Sequence, residues 1–279
     1  MSKFTLKDLQ EQYPSDDVCL EVLMNAQNHV CKCGRTEFYR ITNRRAYACA
    51  CGKHYYPLKD TIFAGSQTPL TTWFLAIYLM SVTKCGISAA QMSRMTGTTY
   101  KCAWRMMHKI REKMAADFDF AEDAHVEIDE TYFRAKPWRT TRPLAYNGRA
   151  ATVLGMVERD GRAKAFHIPT NSSRIMLPII RDHVPQNTTI YTDSLWSYYA
   201  LDDTHLHRVV NHSKEYVRDD YVYTNTVEGL FSHMKRGVQG VYRMVSPQHL
   251  QKYLNEFTWR YSHRSSDNMF EDLLKAVIS

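Results

Sequence analysis

The chain of 279 residues has no apolar run long enough to cross a bilayer; the longest, Trp73 to Val82, is about half of the ~20 residues that a spanning helix requires. The polar stretch from Met1 to Asp17 carries no secretory signal pattern. Neither an internal repeat nor a low-complexity tract occurs. Seven cysteines, an odd number in a chain without a secretory signal pattern, argue against a disulfide framework. These absences exclude a membrane-spanning class and a disulfide-stapled secreted one. They predict a soluble intracellular protein whose thiols are free or bound to metal.

What is present is a chain with 44% apolar residues, enough for a sizeable core and for two domains or one domain with small appendages. The formal net charge is +7 and the isoelectric point is near 9.0, which favours a polyanionic partner. An ordinary basic protein has the same balance, so charge alone does not decide between the two.

Cysteine spacing gives the first constellation. Cys31-Lys-Cys33-Gly34 is followed by Cys49-Ala-Cys51-Gly52, and Thr36 to Ala48 between them reads as a β-hairpin turning at Thr42 to Arg44. Two cysteine knuckles joined by a hairpin are the layout of a zinc ribbon. Four thiolates suit tetrahedral Zn²⁺, and each Gly permits the tight turn that aims backbone N–H groups at sulfur. Both knuckles are Cys-x-Cys rather than the usual Cys-x-x-Cys, a tighter spacing that still chelates. His29 and His54 lie nearby as substitute ligands. Four buried free cysteines are the alternative. A module this small needs its metal to fold, so the zinc is expected to be structural.

Thr68-Pro69 opens a helix over Leu70 to Thr83, which Gly86 ends. Ser88 caps a short helix, Ala89 to Met95, and Gly97 supplies a turn before a third helix from Thr99 to about Ala115. Short helix, Gly turn and longer helix make a helix-turn-helix outline. The third helix is expected to expose Lys101, Arg105, His108, Lys109, Arg111 and Lys113 to DNA phosphates and base edges. A three-helix bundle with a solvated charged face fits the same pattern.

The segment Val126 to Phe133, Val-Glu-Ile-Asp-Glu-Thr-Tyr-Phe, reads as a strand. It carries Glu127, Asp129 and Glu130. A carboxylate on a central strand costs several kcal/mol unless a cation or hydrogen bonds satisfy it, and a divalent metal is the obvious occupant. Residues 134–149 read as a basic loop with Arg134, Lys136, Arg139, Arg142 and Arg149. Ala151 to Glu158 and Ala163 to Ile168 read as strands about a tight Asp160-Gly161 turn. A helix starts at Ser172 or Ser173, and Thr188 to Thr192 is a further strand ending at Asp193. This order predicts a mixed sheet with helices packed on it. Asp193 sits at the carboxyl end of its strand, where α/β sheets place ligand sites. It could equally be the N-cap of Ser194 to Leu201. Residues 202–224, with His205, His207 and His212, read as loop or DNA-facing.

A helix follows from Asn225. Glu228 and Lys235 are seven positions apart on it, about two turns, and so share a face. Asn225-x-x-Glu228 also fits a capping box with Glu228 in the third helical position, and the two roles compete for one side chain. Ser246-Pro247 starts a long helix to about Tyr261, and Asn268 to Val277 reads as a final helix.

Three carboxylates therefore stand out, Asp129, Asp193 and Glu228, the last two 35 positions apart (228 − 193). In a ribonuclease-H-like fold their elements converge on one sheet edge, where three acids can hold two Mg²⁺ ions for in-line displacement at phosphorus.

At this point the sequence resembles the DDE-type insertion-sequence transposases with an N-terminal zinc ribbon, the ISXO-like group. The likeness covers nearly the whole chain. It rests on the two knuckles, on Asp60-Thr-Ile-Phe63 with Thr68-Pro-Leu-Thr-Thr-Trp-Phe74, on Ile128-Asp-Glu-Thr-Tyr132, on Tyr191-Thr-Asp193, on Asn225-Thr-Val-Glu228 leading to Lys235-Arg-Gly237, and on Tyr253, Glu256, Phe257, Arg260 and Tyr261. The resemblance implies an α/β, ribonuclease-H-like catalytic domain over residues 121–279. Residues 1–66 are then an N-terminal helix with the zinc ribbon, and 67–120 a helix-turn-helix segment. It implies zinc on Cys31, Cys33, Cys49 and Cys51, and two Mg²⁺ (or Mn²⁺) ions on Asp129, Asp193 and Glu228, with Lys235 contacting DNA near the reacting end. Lys101, Arg105, Lys109 and Arg236 are the expected DNA contacts. The implied activity is binding of terminal inverted repeats, cleavage exposing 3′-hydroxyls and joining of those ends to target DNA by at least a dimer. The setting would be a prokaryotic cytoplasm, at the nucleoid and away from membranes. A catalytically silent DNA-binding regulator and a metal-dependent nuclease on the same fold are the competing expectations.

Overall fold

A computed structural model describes residues 4–115, 117–133, 150–210 and 223–278. The chain forms two compact units, Met1–Met114 together with Ser266–Ser279, and Ala115–Ser265.

In the first unit, α1 (Leu6–Gln12) and α2 (Asp16–Ala26) start at Thr5 and Ser15, whose side chains accept backbone N–H bonds from Asp8 and Val18. A small antiparallel sheet follows: β1 (Tyr39–Arg40), β2 (Tyr47–Ala48) and β3 (His54–Tyr55). The third strand goes beyond the expected hairpin. Helix α3 (Leu70–Val82) is apolar on nearly every side and is buried accordingly, with Trp73, Phe74, Ile77 and Met80 enclosed. Helices α4 (Ala89–Thr96) and α5 (Tyr100–Lys113) are joined through Gly97, whose φ of +67° is a left-handed conformation that glycine adopts without strain.

The last helix, Met269–Ile278, also belongs to this first unit. Phe270 stacks on Phe4 at 5.0 Å and meets Tyr13 edge-on at 5.7 Å. The sequence reading put it in the catalytic domain. Its apolar stripe of Phe270, Leu273, Leu274 and Val277 fixes which side is buried but not against what.

The second unit is built on a five-stranded sheet: β4 (His125–Phe133), β5 (Ala151–Glu158), β6 (Ala163–Ile168), β7 (Thr189–Asp193) and β8 (Leu206–Val210). Its order is β6-β5-β4-β7-β8. β5 runs antiparallel to both neighbours, while β4, β7 and β8 are mutually parallel. Three meandering strands followed by two parallel ones on the far side of the first are the ribonuclease-H-like arrangement. β5 is buried on both faces, which is why it reads as a continuous apolar run. One face is covered by α6 (Ser173–His183) and a 3₁₀ turn (Trp196–Leu201), packed on Val126, Ile128, Leu154 and Ile190. The other is covered by α7 (Asn225–Gly237) and α8 (Pro247–Ser262), packed on Phe133, Val153 and Val157.

β8 corrects the loop reading of 202–224 in part. His205 is buried, bonded to the Val184 carbonyl at 3.0 Å, and His207 joins Thr192 at 2.8 Å and Asp202 at 2.6 Å. These two rings tie the sheet edge together rather than face DNA. His212 and the basic segment 134–149 lie outside the described residues.

Candidate active site

β4 alternates its side chains between the two covered faces. Val126, Ile128 and Glu130 look toward the 3₁₀ turn, and Glu127, Asp129 and Phe133 toward α7. β4 and β7 pair with a constant offset of 64 positions, His125 with Thr189 through Glu127 with Tyr191, where the pairing ends; continued two residues further, the same offset (193 − 129) sets Asp129 level with Asp193. Parallel neighbours in register share a face, so both aspartates stand on α7's side of the sheet.

Glu228 comes from α7, and one buried side chain fixes where that helix begins. Glu127 is 0% exposed and accepts four hydrogen bonds: Thr226 N–H at 2.8 Å, Thr226 hydroxyl at 2.9 Å, Val227 N–H at 3.2 Å and Arg159 Nε at 2.9 Å. It thus supplies an acceptor to the helix N-terminus from a different element. Arg159 is held in turn between the rings of Tyr191 and Tyr223, its guanidinium carbon 3.8 Å from each centroid, and donates to the Tyr223 carbonyl at 2.9 Å. The expected capping box does not form. The helix starts at Asn225, one position earlier than that motif needs, with Thr224 as N-cap, and Glu127 serves its N–H groups. The Glu228 carboxylate instead accepts from the Thr224 hydroxyl at 3.4 Å.

Close approach of α7 also depends on Gly155, the cross-strand partner of Asp129. A Cβ there would lie 2.5 Å from the Phe231 ring and 3.2 Å from Val227. Glycine in this strand is what lets the helix settle beside Asp129.

The acids are near enough for their charges to act on Asp129. The Asp129 carboxyl is pushed up to about 7, first by burial, then by the charges of Glu130, Asp193 and Glu228, against a backbone N–H bond from Glu130. Asp193 spends one oxygen on a local turn, accepting the Leu195 N–H at 3.0 Å. The 3₁₀ turn begins after that, at Trp196, so the helix-cap reading of Asp193 is met only by this bond. Glu130 faces away from the trio and is satisfied by Tyr198 (2.7 Å) and Asn171 (3.2 Å). Lys235 stands half-buried in the last turn of α7, and Arg236 is exposed beside it.

In the first unit the two knuckles are near copies. Cys31 N–H donates to Arg35 and Cys49 N–H to Lys53, and Gly34 and Gly52 N–H donate back to Cys31 and Cys49, all at 2.8 Å. Gly34 and Gly52 have φ of +84° and +89°. The four Sγ atoms lie within 4.8 Å of one another, with Cys31 to Cys51 at 3.4 Å and Cys33 to Cys49 at 3.6 Å. A tetrahedron of sulfurs about 2.3 Å from zinc has edges of roughly 3.8 Å, so the set fits that ion. The Cys-x-Cys spacing therefore does not prevent convergence. Cys31 is held down to about 6 by the Cys33 backbone N–H and then the Tyr55 hydroxyl. Cys49 receives the Cys51 N–H yet is pushed up to about 11 by burial and the adjacent sulfurs. His29 bonds Gln27 at 2.7 Å and His54 is exposed on β3; neither joins the set.

Among the described residues, the cysteines are the one group of three or more such ligands drawn this close. The acidic trio is looser. Ions of a two-metal pair sit about 3.5–4 Å apart, so acids binding different members need not touch.

Of the cations expected on α5, Lys101 and Arg105 are exposed, whereas His108 and Arg111 are buried. Their positions fall on the stripe of Met107, Ile110 and Met114, which faces the unit's core. Lys109 is half-buried and donates to the Ile62 carbonyl at 2.7 Å.

Fold and acidic site together define an α/β, ribonuclease-H-like protein with carboxylates at the middle of β4, the end of β7 and the first turn of α7. Residues 121–262, lying within the second unit, match the ISXO2-like transposase domain. A protein in transposable element ISH50 of Halobacterium salinarum is 30% identical over 243 residues, 80% of this chain and 79% of the relative. A transposase-like protein of Haemophilus influenzae is 30% identical over 115 residues, 40% of this chain and 92% of the relative. The crystal structure of a pre-cleavage Mos1 transpososome aligns with a TM-score of 0.28 and 14% identity over 69% of this chain and 74% of that one. The fold assignment rests on strand order, not on that last likeness. The chain belongs to the ISXO2-like transposases: it is an insertion-sequence transposase, of polynucleotidyl transferase type.

Proposed function

We propose that the chain binds the terminal inverted repeats of its element, cleaves to expose 3′-hydroxyl ends and joins them to target DNA, using Asp129, Asp193 and Glu228 to hold Mg²⁺ or Mn²⁺. The observation that carries this is the parallel pairing of β4 with β7 through Glu127 and Tyr191, which, carried on, sets Asp129 level with Asp193 on the face where α7 brings Glu228, with a half-buried Asp129 carboxyl raised first by burial and then by its acidic neighbours. Acids packed this way repel one another until a cation relieves them, and hard carboxylate oxygens suit these ions. When bound, a pair of such ions supplies an activated oxygen nucleophile and stabilises the leaving oxygen at phosphorus.

The chain's own residues do the rest. Glu127 and Arg159 fix the start of α7 and so the approach of Glu228. Lys235, two turns further along, offers its ammonium to a phosphate of the DNA end. Lys101, Arg105 and Arg236 add exposed phosphate contacts and a salt-dependent share of affinity. Lys109 joins them only by giving up its bond to Ile62. The four cysteines hold a structural Zn²⁺ that orders the ribbon. Two ends must be brought together, so the working form is at least a homodimer. Among the described residues no helix is long and apolar enough to cross a membrane, and the proposed setting is the cytoplasm, at the nucleoid.

The test is strand transfer with labelled terminal DNA and Mg²⁺. Joined product is expected, and Asp193→Asn should abolish it while leaving DNA binding intact. Cleavage without joining would indicate a nuclease, and binding without either a regulator. Joining undiminished in Asp193→Asn would remove that residue from the site.

A further inference from the structure

We propose that Trp196 and Tyr199 form a stacking platform for an unpaired nucleobase at the DNA end, beside the carboxylate site. The proposal rests on the reading that Asp129, Asp193 and Glu228 work on DNA. Trp196, at 67%, is the most exposed of the large apolar side chains among the described residues, and Tyr199 is 53% exposed. The two are three positions apart in a 3₁₀ turn, where residues i and i+3 eclipse, so their rings line up on one side.

The opposite side of that turn is pinned to the two strands that carry the aspartates, to β7 through Asp193 and to β4 through Glu130 on the sheet face away from the trio. Tyr198 is fully buried and donates its hydroxyl to Glu130, the residue after Asp129, at 2.7 Å. Ser197 donates to the Asn171 carbonyl at 3.1 Å, and Leu195 N–H donates to Asp193 itself at 3.0 Å. Asn171 closes the cluster by donating to Glu130 (3.2 Å) and to the hydroxyl of Tyr132 (3.0 Å), another exposed ring on the same side of β4. The platform is therefore rigid and fixed relative to Asp129 and Asp193.

Trp196 is three residues from Asp193, a reach of at most about 10 Å. That covers roughly three nucleotides at 3.4 Å of helix axis each. The platform's size selects its occupant. Two aromatic side chains offer at most about 300–500 Å², below the roughly 800 Å² per partner of a stable protein interface but suited to one or two bases. A base so placed must leave its duplex stack, and stacking on the rings compensates for that loss whatever its identity.

The experiment is binding by the full chain of terminal duplexes in Ca²⁺. Each duplex is either intact or lacks one base at successive positions about the cleaved bond. Trp196→Ala/Tyr199→Ala is expected to weaken binding to intact DNA roughly 5- to 100-fold. At one position the abasic duplex should erase that difference, and Trp196→Phe/Tyr199→Phe should keep wild-type binding. An equal penalty on intact and abasic DNA at every position would overturn the proposal. So would a change of oligomeric state by light scattering without any such coupling, which would mark a contact between copies. Because joining is not measured, failure of the Asp193 assignment leaves this readout unaffected.

Discussion

Glu127→Ala is the sharpest test of how the site is assembled. The substitution leaves two backbone N–H groups at the start of α7 and the Arg159 guanidinium, 14% exposed, without their buried acceptor. Breaking a buried ion pair by removing one partner costs about 3–5 kcal/mol. The lost helix cap adds about 1 kcal/mol, and the Tyr191–Arg159–Tyr223 stack retains part of the total. A net loss of about 3–5 kcal/mol is a large share of a domain's stability and corresponds to roughly a 10 °C fall in Tm for a unit of this size. Glu127→Gln keeps shape and an acceptor but not charge, so it should lose less, about 1–3 kcal/mol. The assay is chemical unfolding of the full chain, with the second unit's transition followed separately from the first. Mn²⁺ titration should show weaker binding even in the folded Gln variant, because the start of α7 sets the position of Glu228. A loss below about 1 kcal/mol for Glu127→Ala, at unchanged m-value, would refute the idea that this carboxylate anchors α7.

The other predictions concern pH, packing and zinc. Asp129 is raised from an ordinary carboxylate value to about 7, so the folded chain holds that proton more tightly than the unfolded one, and metal-free stability should fall as pH rises from about 4 to 7. Metal must displace the proton, so Mn²⁺ affinity should climb by up to about tenfold per pH unit in the same window and level off above it. A flat affinity profile by calorimetry, or a slope kept by Asp129→Asn, would contradict this. Gly155→Ala should cost about 1–3 kcal/mol by overpacking against Phe231 and should lower joining activity through displacement of α7; unchanged stability would show that the helix has room to spare. Cys33→Ser should abolish stoichiometric zinc in metal analysis and weaken terminal-DNA binding by the full chain, and zinc content equal to wild type would remove Cys33 from the site.

The sequence by itself determined most of the elements of the second unit's sheet and the apolar stripe of its helices, though not β8, nor β3 in the first unit. β5 and β6 start and stop where the apolar runs and the Asp160-Gly161 turn say they should, because both signals are local. The paired knuckles were legible for the same reason: each is a short loop whose glycine dictates its turn. Asp129 stood out as an acid inside an apolar strand, Asp193 as one at a strand end and Glu228 as one early in a helix.

Tertiary structure decided what each buried side meets. The final helix shows its apolar stripe in the sequence, but only packing chose α3's unit as its partner. His108 and Arg111 read as DNA-facing cations and are buried, because the apolar stripe of α5 sweeps across their positions. The capping box at Asn225 was a sound local reading, but the helix starts one residue earlier and a carboxylate 99 positions from Thr226 takes the N–H groups of Thr226 and Val227. The role of Glu127 was invisible for that reason. Periodicity ranks a side chain by its face, whereas a hydrogen bond between distant segments exists only once the sheet has set their spacing. Gly155 carried the one available hint, a glycine inside an apolar strand, and its meaning came only from the ring that fills its place.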